Sequence, residues 1–278
     1  MKIKARTASY INRPNRVLRL YAVAFLLFIY LPLLVIPVFS FNSGLYVKFP
    51  LADFTLDWYR ALWDRDPVFQ ALANSFRVGV AASVVSTVLA VFAAKAISRH
   101  RLPGRGPIVG VIMLPLVVPG IIFGVALLVL LNKLGVALSL WTVTLGHVVI
   151  CLPFAISTLL PRFEGFERSV EEASADLGEN GWFTFWRVTF PIVAPGIVAS
   201  LLMCFTISFD EFILAFFLTG TDATLPMYIW GQLRFPTQFP SMLALSTLIL
   251  LSSFAIIFIS LWIGRIGMRR GATRGAPV

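Results

Sequence analysis

Residues 169–191 have the sequence SVEEASADLGENGWFTFWRVTFP and connect two apolar segments, 139–160 and 192–219. About 20 helical residues cross the hydrocarbon core of a bilayer, so each flanking segment is long enough to span a membrane. The wider connection, 161–191, holds six of the 13 acidic residues of the chain. This arrangement predicts a charged loop between two membrane helices.

The loop carries helix signals of its own. Ser169 and Glu172 have the spacing of a capping box, which predicts a helix that begins at Val170. Gly178 is a suitable end for this helix, because glycine adopts the left-handed conformation without steric cost. A second short helix is expected at 182–189. These signals alone are equally compatible with a capped surface helix and with a surface that binds another protein.

The whole chain contains six apolar segments of sufficient length, at 17–41, 69–97, 107–131, 139–160, 192–219 and 241–263. Hydrophobic residues make up 58% of the 278 residues and charged residues 13%, whereas a soluble domain has about 25% charged residues. The unbroken apolar runs also differ from the alternating strands of a membrane barrel. The sequence therefore predicts an all-α membrane protein with six transmembrane helices, and it excludes a soluble or disordered chain.

The distribution of lysine and arginine predicts the orientation. Six of the 23 basic residues fall on one side of the predicted membrane: Lys48, Arg60, Arg65, Arg77, Lys133 and Arg234. The other seventeen fall near the two termini, in or directly before the connection 98–106, and in the connection 161–191. Cytoplasmic loops carry the excess of basic residues, so both termini are expected in the cytoplasm. The net charge of +10 is thereby attributed to topology and lipid contact, and no nucleic-acid partner is expected.

The spacing in the 161–191 loop resembles the EAA loop of bacterial ABC importer permeases. In that family Glu-Ala-Ala is followed by three residues, Gly, nine residues and Ile-x-Leu-Pro. The matching residues here are Glu172, Ala173, Ser174, Gly178, Val188, Thr189, Phe190 and Pro191. The departures are Ser174 for the second Ala, Val188 for Ile and Phe190 for Leu. All three are modest changes in size or polarity.

The resemblance implies a type I permease that is itself not an enzyme. In the family this loop forms the coupling helix, so Glu172, Ala173, Ser174 and Gly178 would dock on a homodimeric ATP-binding subunit. That subunit would carry ATP and magnesium, and this chain is expected to bind no cofactor. No phosphate-binding G-x-x-x-x-G-K-[ST] loop occurs in the sequence. A second permease subunit, expected to be a different chain, and a periplasmic or lipid-anchored binding protein would complete the importer in the bacterial inner membrane.

The resemblance also implies a domain organisation. Residues 1–68 would comprise an N-terminal cytoplasmic tail, the first membrane helix and an outer loop, with Thr55 as the cap of a short interfacial helix. That short helix has a structural or a binding role. Residues 69–263 would form the type I transmembrane core, and 264–278 a basic cytoplasmic tail.

Two further stretches point to a substrate class. SFDEF at 208–212 and TLPMYIW at 224–230 resemble the second permease subunit of spermidine/putrescine importers. Relatives that import opines, aminobutyrate, phosphonates or ferric iron share much of this pattern and remain the alternatives. The implied function is the transport of polyamines by alternating access.

Asp210 and Glu211 are the acidic residues predicted inside a membrane span. A carboxylate at this depth costs about 2.5–3.5 kcal/mol on insertion scales, so it usually faces a cavity or a partner. Both residues are candidates for a cationic pathway or for structural hydrogen bonds near the outer helix end. Tyr228 and Trp230 are candidates for cation–π contact with an ammonium group or for an interfacial aromatic belt.

The remaining chemistry-bearing residues are few. His147 is expected to make a hydrogen bond between helices, and Cys151 and Cys204 are expected to be small buried side chains. No metal-ligand spacing is present, so no metal site is predicted. A membrane-embedded enzyme and a passive channel are the alternatives from other classes.

Overall fold

The computed structural model describes residues 16–100 and 103–272, with side chains as far as residue 255. Within this part the regular secondary structure is helical, apart from one isolated bridge between Asn42 and Phe54. The helices are α1 Arg16–Ser40, α2 Asp57–Trp63, α3 Asp66–Arg99, α4 Arg105–Val117, α5 Gly120–Lys133, α6 Leu140–Glu164, α7 Arg168–Asp176, α8 Gly181–Thr184, α9 Phe190–Asp210, α10 Ile213–Leu218, α11 Leu225–Gln232 and α12 Phe239–Ala272. A π-helical turn, Phe185–Thr189, joins α8 to α9, and a 3-10 turn, Pro236–Gln238, precedes α12.

Five segments of the described chain are long and apolar enough to cross a membrane: Arg16–Ser40, Asp66–Arg99, Leu140–Glu164, Gly181–Asp210 and Pro236–Ala255. The pair formed by α4 and α5 is a sixth if it counts as one broken span. The predicted all-α membrane fold is therefore confirmed. The predicted N-terminal tail, Arg101 and the end of the C-terminal tail lie outside the described residues.

The segment predicted as one span at 107–131 consists of two helices, because α4 and α5 are bent by 104° relative to each other. The bend lies at Val118, which has the extended dihedral angles φ −76° and ψ 128°. A residue before proline is pushed out of the helical region by the proline ring, and Pro119 has no N–H to continue the helix.

The predicted span at 192–219 also differs from the structure at both ends. Its helix begins at Gly181, since the expected short helix at 182–189 continues without a break into α9. The side chain of Asn180 starts it by accepting hydrogen bonds from the backbone N–H groups of residues 182 and 183. At the other end α9 stops at Asp210, and Glu211 is extended with ψ 114°. Of the two carboxylates expected inside a span, one ends the helix and the other lies beyond it.

The described chain divides into two compact units, and the smaller comprises residues 16–65 and 232–272. In it α1 and α2 both pack against α12. The short helix expected near Thr55 is present as α2, but its N-cap residue is Leu56, so the expectation of Thr55 as the cap was wrong. The Thr55 hydroxyl, one residue earlier, accepts a hydrogen bond from the Asp57 N–H at 3.1 Å. Tyr59 on α2 is hydrogen-bonded to Ser40 at the end of α1, at 2.6 Å between the hydroxyl oxygens.

The larger unit, residues 66–231, is built around α3, α6 and α9. Its buried core contains many small side chains: Ala90, Ala94, Cys151, Ala155 and Cys204, with Ile156, Leu159, Phe163 and Val193. Small residues let membrane helices approach closely. The two cysteines are free and buried, as the sequence predicted. A hydrogen bond of 3.0 Å between the hydroxyls of Thr87 and Ser200 also joins α3 to α9.

Candidate functional site

Helix α7, in the loop between α6 and α9, presents two different faces. Glu171 and Ser174 are partly buried against the rest of the unit, whereas Glu172, Ala173 and Leu177 are exposed. Leu177, the residue after the helix, is 86% exposed. Because residues three apart share a helix face, residues 171 and 174 form the inner face and residues 172, 173 and 177 the outer one.

Gly178 terminates helix α7, as the sequence predicted. Its φ is +88°, and its N–H donates to the carbonyl of Ala175 at 2.9 Å. The N–H of Glu179 donates to the carbonyl of Ser174 at 3.2 Å. These two bonds form a Schellman motif, which fixes the direction in which the chain leaves the helix.

The predicted capping box at the N-terminal end was wrong. Helix α7 begins at Arg168 after Glu167, and within the described chain no side-chain hydrogen bond caps it. The Ser169 hydroxyl instead donates to the carboxylate of Glu167 at 3.2 Å. The start is set by tertiary contacts, because the guanidinium of Arg168 donates to the backbone carbonyl of Arg99 at the end of α3.

The inner face of α7 is held by polar contacts. The Nε atom of Arg99 lies 2.7 Å from Oε2 of Glu171. The hydroxyl of Thr189, at the start of α9, donates to Oε1 of the same carboxylate at 2.6 Å. Ser174 and Thr184 are hydrogen-bonded through their hydroxyls at 3.0 Å. Sequence reasoning selected Glu172 and missed Glu171, because the contacts that distinguish Glu171 are made with Arg99 and Thr189, which lie on other helices.

The second candidate site lies at the break between α9 and α10. The Oε1 atom of Glu211 accepts hydrogen bonds from the N–H groups of Ile213 at 2.8 Å and Leu214 at 3.1 Å. This carboxylate therefore caps α10. Asp210, the last residue of α9, is exposed in this chain. The adjacent carboxylates thus have different surroundings.

Helix α5 packs against α10, so the break beside Glu211 lies close to the break beside Pro119. A β-carbon added at Gly120 would lie 3.5 Å from Cδ1 of Ile213, and one at Gly124 only 2.7 Å from the ring of Phe217. Two interrupted helices therefore begin side by side. In transporters, interrupted helices at membrane depth occur where the backbone is buried or lines a cavity.

The aromatic candidates lie on α11. The ring of Trp230 is 51% exposed, and its centroid is 5.4 Å from that of Phe212 in the α9–α10 break. The structure therefore packs Trp230 against Phe212, the residue that follows the two acidic residues in the sequence. Tyr228 is partly buried, and its backbone N–H donates to the Thr224 carbonyl at 2.9 Å.

The two candidate sites lie at opposite ends of the larger unit. Helix α9 has 21 residues, so at 1.5 Å per residue about 30 Å separates the α7 loop from Asp210. Between them the Nδ1 atom of His147 lies 2.8 Å from the Ser208 hydroxyl, which confirms the expected hydrogen bond between helices.

No cluster of three or more His, Cys, Asp or Glu suitable for a metal is found in the described residues.

Comparisons with known proteins agree on one class. Residues 86–268 match the family described as binding-protein-dependent transport system inner membrane component. The spermidine/putrescine transport system permease protein PotC of Escherichia coli (strain K12) is 29% identical over 88% of this chain and 92% of its own length. The putrescine transport system permease protein PotI of the same strain is 32% identical over 80% and 82%.

A solved structure has the same fold. It is that of a bacterial ABC transporter involved in the import of the acidic polysaccharide alginate, with a TM-score of 0.71 and 19% identity. The match covers 92% of this chain and 98% of that one.

Proposed function

Because the chain belongs to the family of binding-protein-dependent transport system inner membrane components, we propose that it is a polyamine-importing permease subunit driven by a separate ATPase. The family consists of membrane components of transport systems, so the chain is a transport subunit and not an enzyme. It forms half of a translocation pathway that opens alternately to the two sides of the inner membrane.

The proposed coupling to the ATPase is supported by the difference between the two faces of α7. Its inner face is fixed by Glu171 and Ser174, while Glu172, Ala173 and Leu177 remain free to enter a groove on another protein. Gly178 sets the end of this surface through its positive φ. The groove belongs to a homodimeric ATP-binding subunit, which also carries the ATP and magnesium. Both chain termini and the α7 loop face the cytoplasm, in agreement with the excess of basic residues on that side.

Polyamine is the cargo that the relatives and the second site support together. PotC and PotI are named as spermidine/putrescine and putrescine permeases. Asp210 is an exposed carboxylate at the α9–α10 break, and Trp230 offers an exposed ring that packs on Phe212 in the same break. A carboxylate and an aromatic face attract ammonium groups. Asp210 therefore faces the pathway, Trp230 contributes to it, and Glu211 supports it by capping α10. Tyr228 is the fourth pathway residue.

The complete importer contains further chains. A second, different permease subunit provides the other half of the pathway, and a periplasmic or lipid-anchored binding protein delivers the cargo. Opines, aminobutyrate, phosphonates and ferric iron are the alternative cargoes. Opines and aminobutyrate also carry an ammonium group, and ferric iron is itself a cation, so uptake of each labelled solute by the wild type distinguishes these cargoes from a polyamine.

Uptake of labelled spermidine tests the proposal in cells that lack their own polyamine importers. The chain is expressed with its partner subunits as wild type and as Asp210→Asn. We expect ATP-dependent uptake by the wild type and a clear loss in the variant while the complex still assembles. If an assembled, ATP-hydrolysing complex imported no polyamine, the assignment of polyamine as the cargo would be refuted. Flux through this chain without any ATPase would refute the importer and favour a channel.

A further inference from the structure

We propose that Arg99, Glu171 and Thr189 form a positioning link that carries movement of α7 to the membrane helices α3 and α9. The inference rests on the proposed coupling role of α7. It concerns the inner face of this helix, opposite the surface that would dock on the ATPase. The three residues act on transport through the helices they join, without touching ATP or cargo.

One carboxylate contacts the ends of two spans. Oε2 of Glu171 lies 2.7 Å from Nε of Arg99, the last residue of α3. Oε1 accepts the hydroxyl proton of Thr189, the last residue before α9, at 2.6 Å. Both oxygens are thereby engaged, each by a different membrane helix. A displacement of Glu171 must move both helix ends or break one of these contacts.

The link is shielded from water. The side chains of Arg99 and Glu171 are 10% and 15% exposed, and Thr189 is fully buried. The Arg105–Glu164 pair on the same side of the unit is much more open, with exposed fractions of 51% and 45%. Exposed ion pairs are weak, whereas loss of one partner from a buried pair leaves an uncompensated charge. The shielded pair is therefore the stronger mechanical contact.

Arg99 also holds the chain that leads into α7. Its guanidinium carbon lies 4.4 Å from the centroid of the Phe166 ring, within cation–π range. Its backbone carbonyl accepts a hydrogen bond from Arg168, the first residue of α7. The end of α3 is thus joined to the start of α7 and to its inner face at once.

Helix α7 has little else to transmit a force. It is nine residues long, and none of them is buried in the structure. A helix this short is marginal by itself in water. Because none of its residues is fully buried, a push on its outer face would be absorbed by local movement unless its polar inner contacts hold. The spans that receive the push are themselves joined, since α3 and α9 pack together in the core.

The test uses the complete transporter in liposomes and measures ATP hydrolysis and spermidine uptake in the same sample. Glu171→Gln keeps the size of the side chain and removes the charge that Arg99 pairs with. We expect assembly and ATP hydrolysis to persist while the number of cargo molecules moved per ATP falls about five- to tenfold, the range of a typical coupling energy. Glu164→Gln is the matched control, because it breaks an exposed ion pair at the same side without touching α7. It should leave this ratio unchanged.

Two further variants separate positioning from folding. Thr189→Val removes the hydroxyl at nearly constant volume and should lower the ratio, whereas Thr189→Ser keeps the hydroxyl and should preserve it. A double charge exchange, Arg99→Glu with Glu171→Arg, should restore part of the ratio lost in either single variant.

If Glu171→Gln and Thr189→Val both transport with the wild-type ratio of cargo to ATP, the link is refuted while the importer stands. Parallel loss of hydrolysis and uptake in both would show a merely structural role and would also refute it. A wild-type complex without ATP-driven uptake would instead refute the proposed function.

Discussion

The carboxylate of Glu211 lies 2.8 Å from the backbone nitrogen of Ile213 and caps the short helix α10. Its neighbour Asp210 ends α9 and is exposed. Each of two adjacent carboxylates within a membrane would carry a free-energy cost of insertion if it lacked a partner. The capping bonds give Glu211 a structural partner within the chain, whereas the proposed function assigns Asp210 to the pathway. Substitutions at the two positions should therefore have different effects.

Glu211→Ala should destabilise the transporter, because two backbone N–H groups at the start of α10 lose their acceptor. The loss of a helix cap costs about 0.5–2 kcal/mol. Asp210→Asn should leave stability unchanged and lower spermidine uptake instead. Thermal unfolding of the purified complex, measured beside uptake in cells, checks both outcomes. Glu211→Gln serves as the matched control because its amide oxygen still accepts the two hydrogen bonds. Equal loss of stability at positions 210 and 211 would contradict the division of roles.

Gly124→Ala should weaken the packing of α5 on α10. An added β-carbon would lie 2.7 Å from the ring of Phe217, and a ring has less freedom to move than a flexible chain end. Overpacking of this kind costs about 1–3 kcal/mol. The control is Gly110→Ala in α4, where an added β-carbon meets nothing within 4 Å. Thermal unfolding of the two variants should separate them, and equal stability would show that the helices adjust without cost.

Hydropathy predicted the membrane helices but not the places where they break. Long apolar runs identify a span because backbone groups in lipid must bond within a helix. The breaks at Val118 and Glu211 depend on dihedral angles, to which hydropathy is insensitive. The first break, with its bend of 104°, lies at Pro119, whose ring excludes the helical conformation from the residue before it. The second has no proline, and it becomes understandable only when Glu211 is seen capping α10.

The candidate coupling surface was predictable in position but not in orientation. Motif spacing placed Glu172 and Gly178 on one short helix with a glycine end, and the structure has this helix. The capping box failed because Arg168 is held by the end of α3, a contact far away in sequence. For the same reason nothing local distinguished Glu171 from Glu172. The difference between them depends on which helix face meets Arg99 and Thr189.

Ser208→Ala should destabilise the core between α6 and α9. The hydroxyl is 2.8 Å from Nδ1 of the fully buried His147, whose Nε2 has no hydrogen-bond partner among the described atoms. Removal of the hydroxyl leaves both ring nitrogens unpaired. Hydrogen bonds between membrane helices contribute about 0.6 kcal/mol on average and up to about 1.7 kcal/mol. We expect a loss within this range in thermal unfolding. Thr206→Val in the same helix is the control, since its exposed hydroxyl bonds only to the preceding turn.

Gly178→Ala should loosen the end of α7 through backbone strain alone. Its φ of +88° is unfavourable for alanine by about 1–2 kcal/mol, while an added β-carbon would meet nothing within 4 Å. A loss of about 1 kcal/mol raises the open population of the loop about fivefold, so protease cleavage within 165–180 should accelerate by that factor. Uptake per ATP should fall as the docking surface becomes less ordered. Gly181→Ala is the matched control, because its β-carbon also meets nothing and its φ lies outside the left-handed region. The role of the Schellman motif would be contradicted if cleavage accelerated in Gly181→Ala, or if it did not accelerate in Gly178→Ala.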